Sequence, residues 1–191
     1  MKLTELTILE SSGYSLQGSF TPDLTESKVW LIRRLAQVSP KVGNMYVLGS
    51  WFGNLSLYLH LLPRLQHGRI INVEIDPKML RQSARMLRLI GARGVDHQLA
   101  DANQLDYRDL GADGVVVNCS LTSMPKSDWF HNIPPKTLVV LQARDHDPGI
   151  KYRDVQDILD KFPLRVLYQG TRSLRDPETK YQRFMVIGHK L

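Results

Sequence analysis

Cysteine is almost missing from this chain. The single residue, Cys119, excludes an internal disulfide, and a lone thiol is consistent with a reducing compartment, here expected to be the cytoplasm. Long apolar runs are missing as well. None reaches the roughly 18 residues that a membrane span needs, so no membrane partner is expected. The opening residues MKLTELTILESSG include Glu5 and Glu10 and hold no signal-peptide core. No GxxxxGK[ST] phosphate loop occurs, which argues against a nucleotide hydrolase. A full GxGxxG run is absent because positions 51 and 54 are Trp and Asn, and no Tyr-x-x-x-Lys pair exists, so hydride transfer is disfavoured. Asp145, His146 and Asp147 have no second spaced cluster to complete a metal site, and no metal is expected. The net charge of +6 permits an anionic partner without requiring one.

What is present centres on residues 44–76, NMYVLGSWFGNLSLYLHLLPRLQHGRIINVEID. Met45 to Leu48 is an apolar run long enough for a buried strand. Gly49 and Gly53 bracket a turn without charge, and Leu55, Leu59 and Leu62 follow at helical spacing. A second apolar run, Arg69 to Val73, ends at Glu74. Glycines let a ligand approach the backbone, and the helix start offers N–H groups to an anionic group. An acid about 20 residues beyond the last glycine can accept both hydroxyls of a ribose.

The rest of the chain supports that unit. Residues 1–40 read as an N-terminal segment with a covering helix, and 41–191 as the ligand-binding body of the same domain. Asp23 is the expected N-cap of the covering helix, with Glu26 closing a capping box and Leu31, Leu35 and Val38 on its apolar face. Asp76-Pro77 starts another helix, with Leu80, Ala84, Leu87 and Ile90 as its buried stripe and Lys78, Arg81, Arg85 and Arg88 along a solvated face. Further strands are expected at Val95 to Ala100, Val115 to Val117 and Leu138 to Leu141, then a helix carrying Val155, Ile158, Leu159 and Phe162. Two strands close the chain, Leu164 to Gln169 and Phe184 to Gly188, around the charged turn RSLRDPETK. Alternating strands and helices give an α/β fold, a doubly wound, mostly parallel seven-stranded sheet ending in an antiparallel hairpin.

In this order the features resemble the class I, Rossmann-like S-adenosylmethionine-dependent methyltransferases. VLGSWFG looks like their glycine motif, and Glu74 in VEIDP matches their ribose-binding acid. Asp101 in LADANQLDY is similar to the acid that meets the adenine amine, with Ala102 beside the ring. VNCSLTS stands where methyl donor meets acceptor, and NCSLTSM with the following WF and IPP resembles small stand-alone phage and bacterial methyltransferase-like proteins. The resemblance implies S-adenosyl-L-methionine as cofactor, held by Gly49, Trp51, Gly53, Glu74, Asp101 and Ala102. Asn118 would stand at the reaction centre, and Trp129, Asp145 and His146 near an unidentified acceptor, a small molecule or a nucleic acid.

Two positions depart from the pattern. The acid usual two residues before the first glycine, which helps to hold the methionine ammonium, is Val47; the middle glycine is Trp51. Another group must then serve the ammonium, Glu26 being one candidate, and Trp51 either stacks on the sulfonium or packs as core. These departures leave a second reading open, a protein that binds the same ligand without transferring methyl, as a sensor or interaction module. Oligomeric state is not legible.

Overall fold

The computed structural model describes residues 17–145 and 152–191. Expectations placed on residues 1–16 and on His146 and Asp147 lie outside the described residues. Seven strands form one sheet: β1 (Met45–Leu48), β2 (Ile70–Glu74), β3 (Val95–Leu99), β4 (Val115–Asn118), β5 (Leu138–Arg144), β6 (Leu164–Arg175) and β7 (Lys180–Lys190). Their order is β3-β2-β1-β4-β5-β7-β6. The first five run parallel, and β7 pairs antiparallel with both β5 and β6. From β1 the chain first winds outward through β2 and β3, then returns to place β4 on the other side. The reversal falls at the carboxyl ends of β1 and β4, the place where ligands of such sheets bind.

The central strands are buried along nearly their whole length and mostly apolar because both sheet faces are covered. On one face Tyr46, Leu48, Val116 and Val139 pack with Trp129, Phe130 and Phe162. On the other, Met45, Val47, Val115 and Val140 pack against Trp30, Leu31 and Leu35 of α1 (Pro22–Val38) and Leu55 and Leu59 of α2 (Asn54–Leu61). The next helix, α3 (Pro77–Leu89), begins as its sequence requires: the Asp76 carboxylate accepts from the N–H of Lys78 at 2.7 Å and of Met79 at 3.4 Å. Two short helices follow, α4 (Asp128–His131) and α5 (Val155–Lys161).

Three expectations are corrected. Helix α1 starts two residues early, with Thr21 at the N-cap and Pro22 in the first turn, where its missing N–H costs nothing. Asp23 therefore turns inward instead of capping. The buried face of α3 is Met79, Leu80, Ser83, Met86 and Leu87, with Ala84 and Ile90 only half-buried. The helix is rotated to bring Ser83 under the glycine turn. The closing hairpin is also longer than its apolar cores, because β6 is an edge strand whose exposed polar residues still pair. Its true turn is 176–179, where the Asp176 carboxylate accepts from Glu178 N–H at 2.9 Å and Thr179 N–H at 2.7 Å.

Candidate functional site

Leaving β1, the chain turns through Gly49 (φ 57°), Trp51 (φ 51°) and Gly53 (φ 73°) before α2 begins. Three left-handed residues in five fold the backbone tightly over the sheet edge. The two glycines are needed for different reasons. A Cβ on Gly49 would lie 3.0 Å from Ser120 and 3.1 Å from the Met124 methyl, so this glycine lets the turn approach the loop after β4. A Cβ on Gly53 would lie 2.2 Å from Ser83 Oγ, so this one lets α2 and α3 close together. Beneath it runs a buried polar thread: Ser56 Oγ donates to Asn72 Oδ1 (2.7 Å), Asn72 Nδ2 to Ser83 Oγ (3.5 Å), and Ser83 Oγ meets His97 Nε2 (3.1 Å). Burial pushes the His97 imidazole below its ordinary value, against the pull of Asp96.

Glu74 ends β2 and faces the glycine turn. Its Oε2 accepts from Trp51 N–H at 2.8 Å, and Oε1 accepts from the N–H of Ile75 (2.9 Å) and Asp76 (3.1 Å). The carboxylate thus holds the turn shut while remaining only half-buried. Beside it Ile75 is 67% exposed, a large apolar side chain left mostly uncovered. Asp101, beyond β3, accepts at Oδ1 from both the backbone and the side chain of Asn103, each at 2.9 Å, with Ala102 buried behind it. Trp51 is half-buried and packs at 4.9 Å between ring centroids on Phe52.

Asn118 closes β4 and is fully buried: Oδ1 accepts from Ser120 N–H at 2.8 Å, and Nδ2 donates to the Met124 sulfur at 3.1 Å. Ser120 Oγ donates to the Gly49 carbonyl at 3.2 Å, so the loop after β4 is stitched to the glycine turn. Trp129 lines no open surface. Its side chain is 0% exposed and stacks in the core against Phe130 and Phe162. Asp145 locks the end of the β5–β7 ladder, accepting from Gln182 N–H at 2.9 Å.

A group of residues that sequence reading missed lies where α1 crosses the carboxyl ends of β4 and β5 and the amino end of β7. The Tyr181 hydroxyl donates to Asp23 Oδ2 at 2.7 Å, and burial, then this bond, raises the Tyr181 phenol. Ser27 Oγ donates to Gln142 Oε1 at 3.1 Å, and Gln142 Nε2 returns a bond to the Ser27 carbonyl at 3.3 Å. Arg183 Nη2 donates to the Cys119 carbonyl at 3.0 Å and reaches Gln142 Oε1 at 3.4 Å. Lys28 faces Cys119 and Arg183; burial pushes its ammonium down, opposed by Cys119 and assisted by Arg183. Glu26 points the other way, exposed and paired with Arg172 at 2.8 Å.

No protein-family profile matches the chain, and no curated protein matches it in sequence. Solved structures do match, from end to end. NodS, an N-methyltransferase of Bradyrhizobium japonicum crystallised with S-adenosyl-L-homocysteine, is similar with a TM-score of 0.68 and 14% identity, over 97% of each chain. The fold is that of the class I methyltransferases. The magnesium protoporphyrin IX methyltransferase of Synechocystis, with bound S-adenosylmethionine, gives a TM-score of 0.66 at 14% identity over 94% of this chain and 88% of its own. The cyclase SpnF gives 0.67 at 12% identity over 87% and 80%. One scaffold therefore carries more than one chemistry, and the reaction must be argued from the site.

Proposed function

We propose that the chain is an S-adenosylmethionine-dependent methyltransferase acting on an acceptor still to be identified. The observation that carries this reading is Glu74, set at the end of β2 and reaching back to the left-handed turn after β1. Ribose hydroxyls would meet its oxygens, Ile75 would cover one face of the adenine, and Asp101 with Ala102 would sit at the ring's amine edge. The residues fit such a ligand. Beside the turn and the facing start of α1, buried oxygens of Ser50, Asn54, Thr21 and Asp23 have no hydrogen-bond partner. Unfilled buried acceptors are costly, and a ligand with donors relieves them.

When bound, the donor supplies an electrophilic methyl on a sulfonium. The protein's task is alignment, since holding an acceptor in line is a large part of such catalysis. The stitching of Gly49 to Ser120 fixes the turn against the loop that ends in Met124, and so fixes the place where donor and acceptor meet. Asn118 holds that loop in shape, and it reaches an acceptor when Met124 swings off its amide. The cytoplasm is the compartment in which the free thiol of Cys119 fits; among the described residues no helix is long and apolar enough to cross a membrane.

Calorimetry with S-adenosylmethionine and S-adenosylhomocysteine tests the reading. Binding that disappears in Glu74→Ala supports it, and a wild-type protein that binds neither overturns it. One observation favours the alternative, ligand binding without transfer: the Met124 sulfur takes the Asn118 amide and its methyl sits close to Gly49, against the residues proposed for transfer. Labelled donor incubated with pools of small molecules, RNA and DNA separates the two. Product beyond one equivalent per protein establishes the enzyme.

A further inference from the structure

We propose that Asp23 is the counter-ion for the ammonium on the donor's methionine end, a duty that position 47 does not perform in this chain. The inference rests on the methyl-donor reading above. Val47 is 4% exposed and packs among Leu31 and Leu35 beneath α1, so it offers no charge and no hydrogen bond. Glu26, the acid that the sequence offered in its place, is turned to solvent and held by Arg172. Asp23 is different. It is 4% exposed, its Oδ2 is satisfied by the Tyr181 hydroxyl, and its Oδ1 has no partner. The phenol serves one oxygen and leaves the other a buried acceptor without a donor, and an unpartnered buried acceptor calls for one.

The surroundings specify what kind of donor. Thr21 Oγ1, Ser50 Oγ and Asn54 Oδ1 are also buried without a hydrogen-bond partner. Together with Asp23 they lie on two short segments, the start of α1 and the glycine turn leading into α2. Those segments are tied to each other. Asn54 Nδ2 donates to the Ser19 carbonyl, the Thr25 and Tyr58 hydroxyls meet at 2.7 Å, and the Phe20 and Tyr58 rings contact edge to face at 6.3 Å. All four unfilled atoms are oxygens, and the carboxylate and amide oxygens among them can only accept. A primary ammonium, with three N–H donors and no acceptor, is the complement. A metal ion is a poorer one, because among the described residues no three His, Cys, Asp or Glu gather as ligands.

The test compares three ligands on the full chain by calorimetry: S-adenosylhomocysteine, its analogue lacking the amino group, and 5′-methylthioadenosine, which lacks the amino acid altogether. In the wild type, the amino group is expected to strengthen binding about tenfold or more, the range of a hydrogen bond to a charged group. Asp23→Asn should weaken S-adenosylhomocysteine by about ten- to a hundredfold while leaving the other two ligands within about twofold. Tyr181→Phe, which keeps the carboxylate, should retain the wild-type preference for the amino group. A variant that binds S-adenosylhomocysteine as tightly as wild type, or loses all three ligands equally while still folded, overturns the assignment. If Asp23→Asn does not fold, the wild type decides alone: indifference to the amino group overturns it. A wild type that binds none of the three removes the methyl-donor reading itself, a result distinct from failure of Asp23 only.

Discussion

The two sides of this sheet edge are built in opposite ways. On the β1–β2–β3 side each proposed ligand-binding residue stands within a few residues of the strand end that positions it: Gly49 after β1, Glu74 closing β2, Asp101 after β3. On the β4–β5–β7 side the polar groups are brought together by a helix from far upstream. Ser27 meets Gln142 across 115 positions of sequence, and Asp23 meets Tyr181 across 158. The first side is local and repeats a pattern shared with distant folds of the same kind. The second is assembled across the chain by α1, which also covers Val47, one of the two departures from that pattern. One sheet edge thus combines a half fixed by short-range geometry with a half held by long-range contacts.

Replacing Glu74 breaks the local side most severely. Glu74→Ala removes the carboxylate that accepts from Trp51, Ile75 and Asp76, so it loses both the expected ribose contacts and the clasp on the turn. Affinity for S-adenosylhomocysteine should fall about a hundredfold or more, at one to three kcal/mol per charged hydrogen bond. Glu74→Gln, which keeps an acceptor, should fall about tenfold. Equal affinity in all three proteins would show that Glu74 only braces the turn.

Gly53→Ala separates backbone strain from packing on the same side. The new methyl would stand 2.2 Å from Ser83 Oγ at a residue with φ 73°. The left-handed conformation costs about 1–2 kcal/mol for a residue with a Cβ, and overpacking adds about 1–3 kcal/mol. Urea unfolding should show a loss of about 3 kcal/mol. Adding Ser83→Ala should recover the packing part and leave the conformational part.

These contrasts mirror what could be read before the fold was known. Strand β1, the turn, Glu74 and the Asp76-Pro77 helix start were legible because their signals are carried by neighbours in sequence. The full hairpin was not, since edge residues such as Gln169 and Thr171 pair through backbone while their side chains stay in water. Trp129 was ambiguous: an aromatic beside a binding loop and an aromatic of the core have the same local pattern, and only the packing against Phe162 distinguishes them. Asp23 was misread as a cap because the helix starts two residues earlier, at Pro22, which places Asp23 inside the first turn, about 200° round the axis from the cap. Lys28, Gln142 and Arg183 gave no signal at all, because a polar contact made across the whole chain leaves no spacing to detect.

Gln142→Leu tests the long-range side by stability. It leaves the Ser27 carbonyl without its donor and the Ser27 hydroxyl without its acceptor, while Arg183 keeps the Cys119 carbonyl. The expected cost is about 2 kcal/mol in urea unfolding, typical of stranded buried polar groups. Hydrogen exchange should quicken in α1 and stay unchanged in α3. Equal quickening in both helices would mean that the two sides do not respond separately.

Lys28→Met should have the smallest effect, and of the opposite sign. Burial lowers the Lys28 ammonium in the folded chain from its ordinary 10.5, so the unfolded chain binds more protons wherever the two states differ. Stability from this group therefore rises with pH from the lowered folded value up to 10.5, and its burial penalty is largest below the folded value. Removing the charge should leave the protein at pH 7 equally stable or more stable by up to about 1 kcal/mol, since replacing a buried charge by a well-packed apolar side chain is often neutral or favourable. Cys119 and Arg183 face the same nitrogen, and Tyr181 nearby is raised by burial, so the absolute alkaline profile mixes several groups. The difference between wild type and variant isolates Lys28: it should shrink as pH climbs toward 10.5. A difference that instead grows with pH would mean that the lysine is stabilised as a cation, and that α1 is held to the sheet by its charge.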